Sequence, residues 1–276
     1  MKYWKSYLIT ILILLFSFYY TYKSIDIVKN INPIMDKINK NSSKFERKPI
    51  NATIKGNTII PGIKGKEVDK EISYSKMKKY GKYNESLTRV KDVYPKISIK
   101  NNKDKYIISG NKIKKEVSII FYIKDLEELE IITNYLNNET IDGTLLLNTN
   151  ILENEKEIQR IKIKEIELSF NKTSDIEVSE YSNYLNSITS KKNKYCITTN
   201  KNNKLLNNCK RHKLYTVIPN IILEDNPSLK IKKELNNASI IYVEFNNNIR
   251  KELDYIIYYI KSKGYRIVYL DELLTE

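Results

Sequence analysis

Histidine, cysteine, tryptophan and glycine are scarce in this chain, and each shortage narrows what it can be. The 276 residues include one histidine, two cysteines, one tryptophan and seven glycines. Two cysteines are too few for a disulfide framework, and the spacing of Cys196 and Cys209 does not show whether they pair. A metal site needs more ligands than two cysteines, and the only histidine, His212, lies in a basic stretch where we expect a solvated side chain.

Acidic residues are also in deficit, which leaves a large positive charge. Lysine and arginine number 48 against 33 aspartates and glutamates, a formal net charge of +15. Such an excess can indicate a nucleic acid or another anionic partner. Arginine, the residue of bidentate phosphate recognition, is scarce, and the lysines are scattered along the sequence. Lysine, asparagine, isoleucine and tyrosine are all abundant, as in an AT-rich coding sequence. We therefore attribute the charge to composition and expect no nucleic-acid partner.

Long apolar runs are absent except for one at the N-terminus, residues 4–22. As a helix this run would span about 28 Å, enough to cross a bilayer core. Aromatic residues stand at both of its ends, as in the interfacial belts of membrane helices. Its exit reads S-F-Y-Y-T-Y and lacks the small residues of a cleavage site, which favours an uncleaved anchor over a signal peptide. The lysines on its two sides do not decide its orientation.

Composition divides the chain after residue 23 into three parts. Residues 24–55 combine helix-like spacing of isoleucine and valine, interrupted by Pro33, with a polar stretch, and predict a stalk and linker. Residues 56–115 begin with three of the seven glycines within ten residues, contain a helix at 73–80 and short strands at 97–99 and 106–108, and predict a small N-terminal extension. The predicted organisation is therefore an anchor (1–23), a stalk or linker (24–55), the extension (56–115) and a main domain (116–276).

The main domain alternates between strand-like and helix-like patterns. Its first segment, E-V-S-I-I-F-Y-I at residues 116–123, predicts a buried strand. Further strands are predicted at 144–147, 163–168, 195–198, 214–218, 239–245 and 265–270. Helices between strands predict a parallel sheet, either closed into a barrel or open and doubly wound. Both arrangements place functional groups at the C-terminal ends of the strands.

The closing segment carries the most specific pattern in the chain. A-S-I-I-Y-V-E at residues 238–244 is followed by a helix and by K-G-Y-R-I-V-Y-L-D-E-L-L at 263–274. This succession resembles the end of the polysaccharide deacetylases, the NodB-homology family, and G-T-L-L at 143–146 looks like that family's second strand. The resemblance covers residues 116–276. It implies an α/β fold of the deformed (β/α) barrel type.

The residues that carry the chemistry of the resembled family are replaced in this chain. Family members use an Asp pair after the first strand, an H-x-x-x-H pair and a late histidine to hold a divalent metal and transfer protons. The matching positions here are Tyr122 and Ile123 for the Asp pair, Ser169 and Thr173 for the His pair, and Glu244 for the late histidine. Isoleucine and neutral hydroxyls are poor ligands for zinc. Without metal, no bound water becomes hydroxide near neutral pH. We therefore expect no metal, no cofactor and no catalytic residue.

Carboxylates elsewhere offer a second route to a metal site, because several oxygen ligands can hold magnesium or calcium. Those predicted near strand ends are Asp125, Glu165, Glu167, Asp175, Glu224, Asp225 and Glu244. In a chain so rich in charge, this scatter is typical of a solvated surface.

The resemblance favours a membrane-anchored, non-catalytic domain that binds a cell-wall polysaccharide, with Tyr122 and Glu244 as candidate binding residues. The family's substrates lie outside the cytoplasmic membrane, so it also implies a single-pass cell-membrane protein with an extracellular C-terminal domain. One alternative is an active deacetylase with a rearranged site, which would release acetate. Another is an interaction protein whose stalk and extension bind a membrane-protein partner. These alternatives differ in measurable ways, because only the enzyme turns over substrate.

Overall fold

The structure is a computed structural model that describes residues 4–152, 158, 167–170, 175–188 and 192–276. The chain divides into two compact units, Met1–Pro49 with Lys64–Val93, and Ile50–Ile63 with Tyr94–Glu276. We call them unit 1 and unit 2. Their bounds differ from the boundaries predicted at residues 55 and 115, and the four-part division stays a prediction.

Helices and strands alternate through most of the described chain. The helices are α1 (Trp4–Ile31), α2 (Pro33–Asn41), α3 (Lys70–Tyr80), α4 (Leu126–Glu139), α5 (Thr149–Leu152), α6 (Asp175–Ile188), α7 (Asn203–Arg211), α8 (Pro227–Glu234), α9 (Asn247–Ser262) and α10 (Leu270–Leu274). The strands are β1 (Thr53–Lys55), β2 (Thr58–Ile60), β3 (Gly65–Val68), β4 (Val90–Val93), β5 (Tyr106–Ile107), β6 (Glu116–Ile123), β7 (Thr144–Leu147), β8 (Glu167–Phe170), β9 (Tyr195–Ile197), β10 (Tyr215–Val217), β11 (Ile221–Leu223), β12 (Ile240–Glu244) and β13 (Arg266–Ile267).

Unit 1 contains α1 to α3 and the antiparallel pair β3 and β4. Pro33 begins α2, and the side chain of Asn32 caps it by accepting the N–H of Ile34 at 2.9 Å. A small core of Met35, Ile38, Val68, Tyr74 and Met77 holds α2, α3 and β3 together. The predicted helical stalk is therefore two helices that meet at Asn32, and the second of them is packed on its apolar side.

The segment Tyr7–Ser24 of α1 is long and apolar enough to cross a membrane, and none of it is buried. By length and composition, it is the one helix with this property among the described residues. A membrane anchor and a signal sequence both fit this description.

Unit 2 is built on one long sheet whose hydrogen-bonded order is β1-β2-β5-β10-β9-β8-β7-β6-β12-β11, with β13 paired to the start of β6. The pairing is parallel from β2 to β11, and only β1 is antiparallel. The α/β class with a parallel sheet is therefore confirmed. In the described part of the chain the sheet ends at β1 and β11, and closure into a barrel stays a prediction.

Alternate residues of β6 enter two different cores, as the two-residue period of a strand requires. Phe121 and Ile123 belong to the core beneath the helices, which also contains Leu129, Ile132 and Ile256. Ile120 and Tyr122 face the other side of the sheet, which we call the inner face. The C-terminal helix α10 covers part of that face with Leu270, Leu273 and Leu274. Every residue of β6 except Glu116 and Tyr122 is fully buried, so this strand is the centre of unit 2.

Four predicted elements differ from the structure. Of the strand predicted at 163–168, residues 163–166 lie outside the described part of the chain, and the described strand is Glu167–Phe170. The strand predicted at 97–99 is instead a 3-10 helix, Ile99–Asn101, because the side chain of Ser98 accepts the N–H of Lys100 and caps a turn. The helix predicted from residue 73 begins at Lys70, where Asp69 caps it. The closing strand predicted at 265–270 is only Arg266–Ile267, and α10 follows.

A disulfide joins Cys196 in β9 to Cys209 in α7, with their Cα atoms 6.4 Å apart. Both residues are fully buried in the core beneath the helices. The bond therefore ties a central strand to the helix that follows it. The sequence alone left this pairing open.

Candidate functional site

Four residues on neighbouring strands lie in one row at the C-terminal edge of the sheet. Glu244 of β12 is the register partner of Tyr122 in β6, Tyr122 is the partner of Leu146 in β7, and Leu146 is the partner of Ser169 in β8. Parallel strands lie about 4.8 Å apart, so the row crosses roughly 15 Å of sheet. Three of the five residues singled out by the family resemblance are thus brought to one level.

The other two positions are placed differently. Ile123 is fully buried in the core beneath the helices, because it follows Tyr122 and points to the opposite side of the sheet. Thr173 lies outside the described residues. By backbone register the row contains Tyr122, Ser169 and Glu244, whereas Ile123 is a core residue.

Two tyrosine rings stack on the inner face at this edge. Tyr122 and Tyr242 have ring centroids 6.2 Å apart and ring planes 22° apart. Tyr242 is almost completely buried, whereas Tyr122 is partly exposed. Burial, then the negative charge of Glu244, raises the pKa of Tyr242 above its ordinary value. The two stacked rings form an aromatic floor, and Tyr122 is its accessible part.

An ion pair lies beside the tyrosines. The ammonium of Lys124 is 2.5 Å from a carboxylate oxygen of Glu244, and both side chains are about 40% exposed, at 43% and 40%. This contact raises the pKa of Lys124, so the lysine keeps its charge at neutral pH. The backbone N–H of Lys124 donates to Glu128 at 2.7 Å, and Asp125 caps α4 by accepting the N–H of Glu128 at 2.9 Å. The start of α4 therefore fixes the segment that carries Lys124.

These side chains do not fit the divalent metal that the family resemblance implies. Ile123 has no lone pair and is buried away from the edge, and the Glu244 carboxylate is already paired with Lys124. Within the described ranges, no three His, Cys, Asp or Glu side chains are grouped so that they could hold an ion. Of the carboxylates considered for a rebuilt site, Asp125 caps α4, Glu165 lies outside the described residues, and the Glu167 side chain is among those not described.

Lys124 and Tyr242 were missed by sequence reasoning, although the signal was available. In an extended strand, side chains two residues apart point to the same face of the sheet. Tyr242 therefore shares a face with Glu244, and Lys124 shares a face with Tyr122. The family resemblance drew attention only to positions with a catalytic counterpart. Counting by two along each strand would have found both.

We expect the protein to lose stability in alkaline solution, and replacing Tyr242 with phenylalanine should reduce that loss. The raised pKa means that the folded protein keeps the Tyr242 proton at a pH where the unfolded chain releases it. The stability that the protonated Tyr242 contributes is therefore complete below about pH 10 and is lost as the pH rises further. Denaturant unfolding at about pH 8 and about pH 11 measures the difference. Tyr258→Phe, on an exposed ring, is the control, and equal pH dependence in Tyr242→Phe and the parent would contradict the argument.

Comparison with known proteins identifies the fold. No protein-family model matches the chain. The uncharacterized protein YlxY of Bacillus subtilis strain 168 is 27% identical over 139 residues, which cover 50% of this chain and 44% of that protein. The match therefore spans less than half the length of this relative.

Solved structures give a longer match. The CE4 family pseudoenzyme BA3943 of Bacillus anthracis superposes with a TM-score of 0.65 and 20% identity, over 89% of this chain and 96% of that one. A BA3943 mutant, a pseudoenzyme with restored enzymatic activity, superposes with a TM-score of 0.64 and 21% identity, over 89% of this chain and 99% of that one. The Bc1960 peptidoglycan N-acetylglucosamine deacetylase superposes with a TM-score of 0.52 and 19% identity, over 62% of this chain and 94% of that one. The resemblance to the polysaccharide deacetylases is therefore confirmed at the level of the fold.

Proposed function

We propose that unit 2 is a non-catalytic domain of the deacetylase-like barrel type that binds a cell-envelope glycan at the edge formed by β6 and β12. The observation that carries the proposal is the Lys124–Glu244 ion pair beside Tyr122. Tyr122 and Glu244 match the positions where the resembled enzymes keep their base and their acid. The Glu244 carboxylate is held in an ion pair, Tyr122 has no carboxylate to act as a base, and Ile123 has no oxygen to offer a metal. The residues at the edge suit recognition better than hydrolysis.

The edge has the features of a sugar-binding surface. The exposed part of the Tyr122 ring can pack against the apolar face of a sugar, supported from behind by Tyr242. Lys124 supplies N–H donors, and Glu244 supplies acceptor oxygens for hydroxyl and acetamido groups. Bc1960 is named as a peptidoglycan deacetylase, which suggests an N-acetylated wall glycan as the ligand.

We further propose that α1 is an uncleaved single-pass anchor and that unit 2 lies outside the cytoplasmic membrane. The fully exposed apolar segment Tyr7–Ser24 supports the anchor. The buried Cys196–Cys209 disulfide supports the location, because such bonds persist in oxidising compartments.

The full chain in a non-ionic detergent should bind oligomers of N-acetylglucosamine saturably and release no acetate, with or without added zinc. Tyr122→Ala should weaken binding about tenfold, since losing one aromatic contact of about 1.4 kcal/mol has that effect. Calorimetry measures the affinity, and an acetate assay measures turnover. Tyr258→Ala, which removes an exposed tyrosine from α9, is the matched control and should bind as the parent does.

Two results would overturn this proposal. Acetate release that requires zinc and is lost in Glu244→Gln would show an active deacetylase with a rearranged site. Absence of binding to any N-acetylglucosamine oligomer, in a protein whose unfolding is unchanged, would remove the glycan function and favour the interaction protein.

A further inference from the structure

Lysines precede three neighbouring strands at the opposite, N-terminal edge of the sheet. Strands β5, β10 and β9 are adjacent and parallel, with Thr216 the partner of Tyr106 and Tyr215 the partner of Tyr195. The segments that enter these strands, residues 99–105, 210–214 and 192–194, therefore meet at one edge. Because each segment contains lysine, positive charges that are far apart in the sequence come together here.

Lys103 is the centre of this group. Its ammonium lies 4.4 Å from the centroid of the Tyr215 ring and donates a hydrogen bond to the carbonyl oxygen of Lys213. Burial, followed by the charges of Lys213, Lys192 and Lys100, lowers the pKa of Lys103. We call Lys100, Lys103, Lys192 and Lys213 the N-edge lysine patch. These four lysines come from three separate segments of the sequence, and the fold brings them together at this edge.

Three acidic side chains near the patch have partners outside it. Asp104 pairs with Lys105 at 3.3 Å, and Asp271 pairs with Lys194 at 2.8 Å. Glu276, whose charge acts on Tyr215, accepts the backbone N–H groups of Gly62 at 2.8 Å and Ile99 at 3.0 Å. Among the ion pairs formed by described residues, none includes a member of the N-edge lysine patch. Like charges that converge in this way repel each other, and an anion placed among them would relieve the repulsion.

We propose that the N-edge lysine patch binds the phosphodiester groups of an anionic polymer. Ammonium groups act as point charges toward phosphate, and several of them side by side suit a chain of repeated negative charges better than a single ion. The ligand differs from the glycan proposed for the C-terminal edge. The inference does not depend on that function.

The surroundings of the patch favour a soluble polymer over a membrane surface or a nucleic acid. Segments 98–106 and 192–215, which the structure describes completely, contain no exposed large apolar side chain that could enter a bilayer, and Ile97, 42% exposed, is the nearest one along the chain. The Tyr215 ring, which could stack on a base, is covered by Lys103 on one face and lies 5.9 Å from the Tyr195 ring.

The test compares two triple variants of the full chain in a non-ionic detergent. Lys100→Gln, Lys192→Gln and Lys213→Asn together remove three exposed charges from the patch, and asparagine suits the left-handed backbone of residue 213, where φ is 62°. Lys232→Gln, Lys233→Gln and Lys251→Gln remove three exposed charges from α8 and α9. Both variants change the net charge equally. The probe is poly(glycerol phosphate), with its affinity measured across a series of salt concentrations.

The patch variant should bind the polymer at least about tenfold more weakly than the parent, and the slope of log K against log salt should fall by about 2. The α8–α9 variant should keep the parental affinity and slope. Equal losses in both variants would overturn the proposal, because net charge alone would then explain binding. Anionic phospholipid vesicles form a second arm. Patch-dependent binding to vesicles without patch-dependent binding to the polymer would also overturn it and assign the site to lipid headgroups.

Discussion

Replacing Phe121 with alanine should lower the free energy of unfolding by about 3 to 5 kcal/mol. Phe121 is fully buried in the central strand β6 and faces the core beneath the helices. Its surroundings are tight, since a Cβ atom built on Gly143 would lie 3.3 Å from the Phe121 ring and 2.8 Å from Leu136. The cavity left by alanine could not collapse easily. Denaturant unfolding, followed by tyrosine fluorescence, measures the loss.

The control for this prediction is Ile113→Ala, because Ile113 is 66% exposed in the same unit. That change should alter the free energy of unfolding by no more than about 0.5 kcal/mol. A loss below about 1 kcal/mol in Phe121→Ala would show that β6 is not the centre of the core. Glycan affinity of the folded Phe121→Ala protein should be unchanged, since Tyr122 occupies the other face of the strand.

Removing the disulfide should cost about 3 kcal/mol of stability. Cys196 and Cys209 are 13 positions apart in the sequence, and closing a loop of this length in the unfolded chain has about that effect. The double variant Cys196→Ala, Cys209→Ala should unfold at correspondingly lower denaturant concentration. Because both residues are buried, a reductant should act on the parent only when the chain unfolds.

The double variant also provides the control for reduction. Adding reductant should shift the unfolding midpoint of the parent toward that of the double variant and leave the double variant unchanged. Two thiols that react with a labelling reagent in the unreduced, denatured parent would contradict the bond.

The sequence predicts best the elements whose own residues carry a clear hydrophobic pattern. The strand at 116–123 was predicted to the residue, and so was the strand at 144–147, because continuous apolar runs between turns leave few alternatives. Strand β11 and helix α8 are not predicted from the sequence. Helix α8 begins at Pro227 and is short and rich in polar residues, which is a pattern typical of a loop. The pairing of β2 with β5 was also hidden, because contacts between distant segments leave no local pattern.

In the candidate site, too, some features could be predicted from the sequence and others could not. The resemblance located Tyr122, Ser169 and Glu244, and the register places them in one row. The ion pair between Lys124 and Glu244 could not be predicted, because it depends on which strand lies beside β6. The proximity of the four lysines in the N-edge lysine patch could not be read from the sequence for a similar reason. Sequence distance says little about which lysines a parallel sheet brings to one edge.

The orientation of Ile123 bears on whether a metal ligand could be introduced at this end of β6. At this position the resembled family has a carboxylate, whereas here an isoleucine has been incorporated into the core beneath the helices. An aspartate restored at residue 123 would place a charge among Leu129, Ile132 and other apolar side chains, at a substantial desolvation cost. A metal ligand at this position would therefore require the end of β6 to be rebuilt around it. Selection for stability alone would oppose such a change, because the apolar packing of Ile123 would be lost.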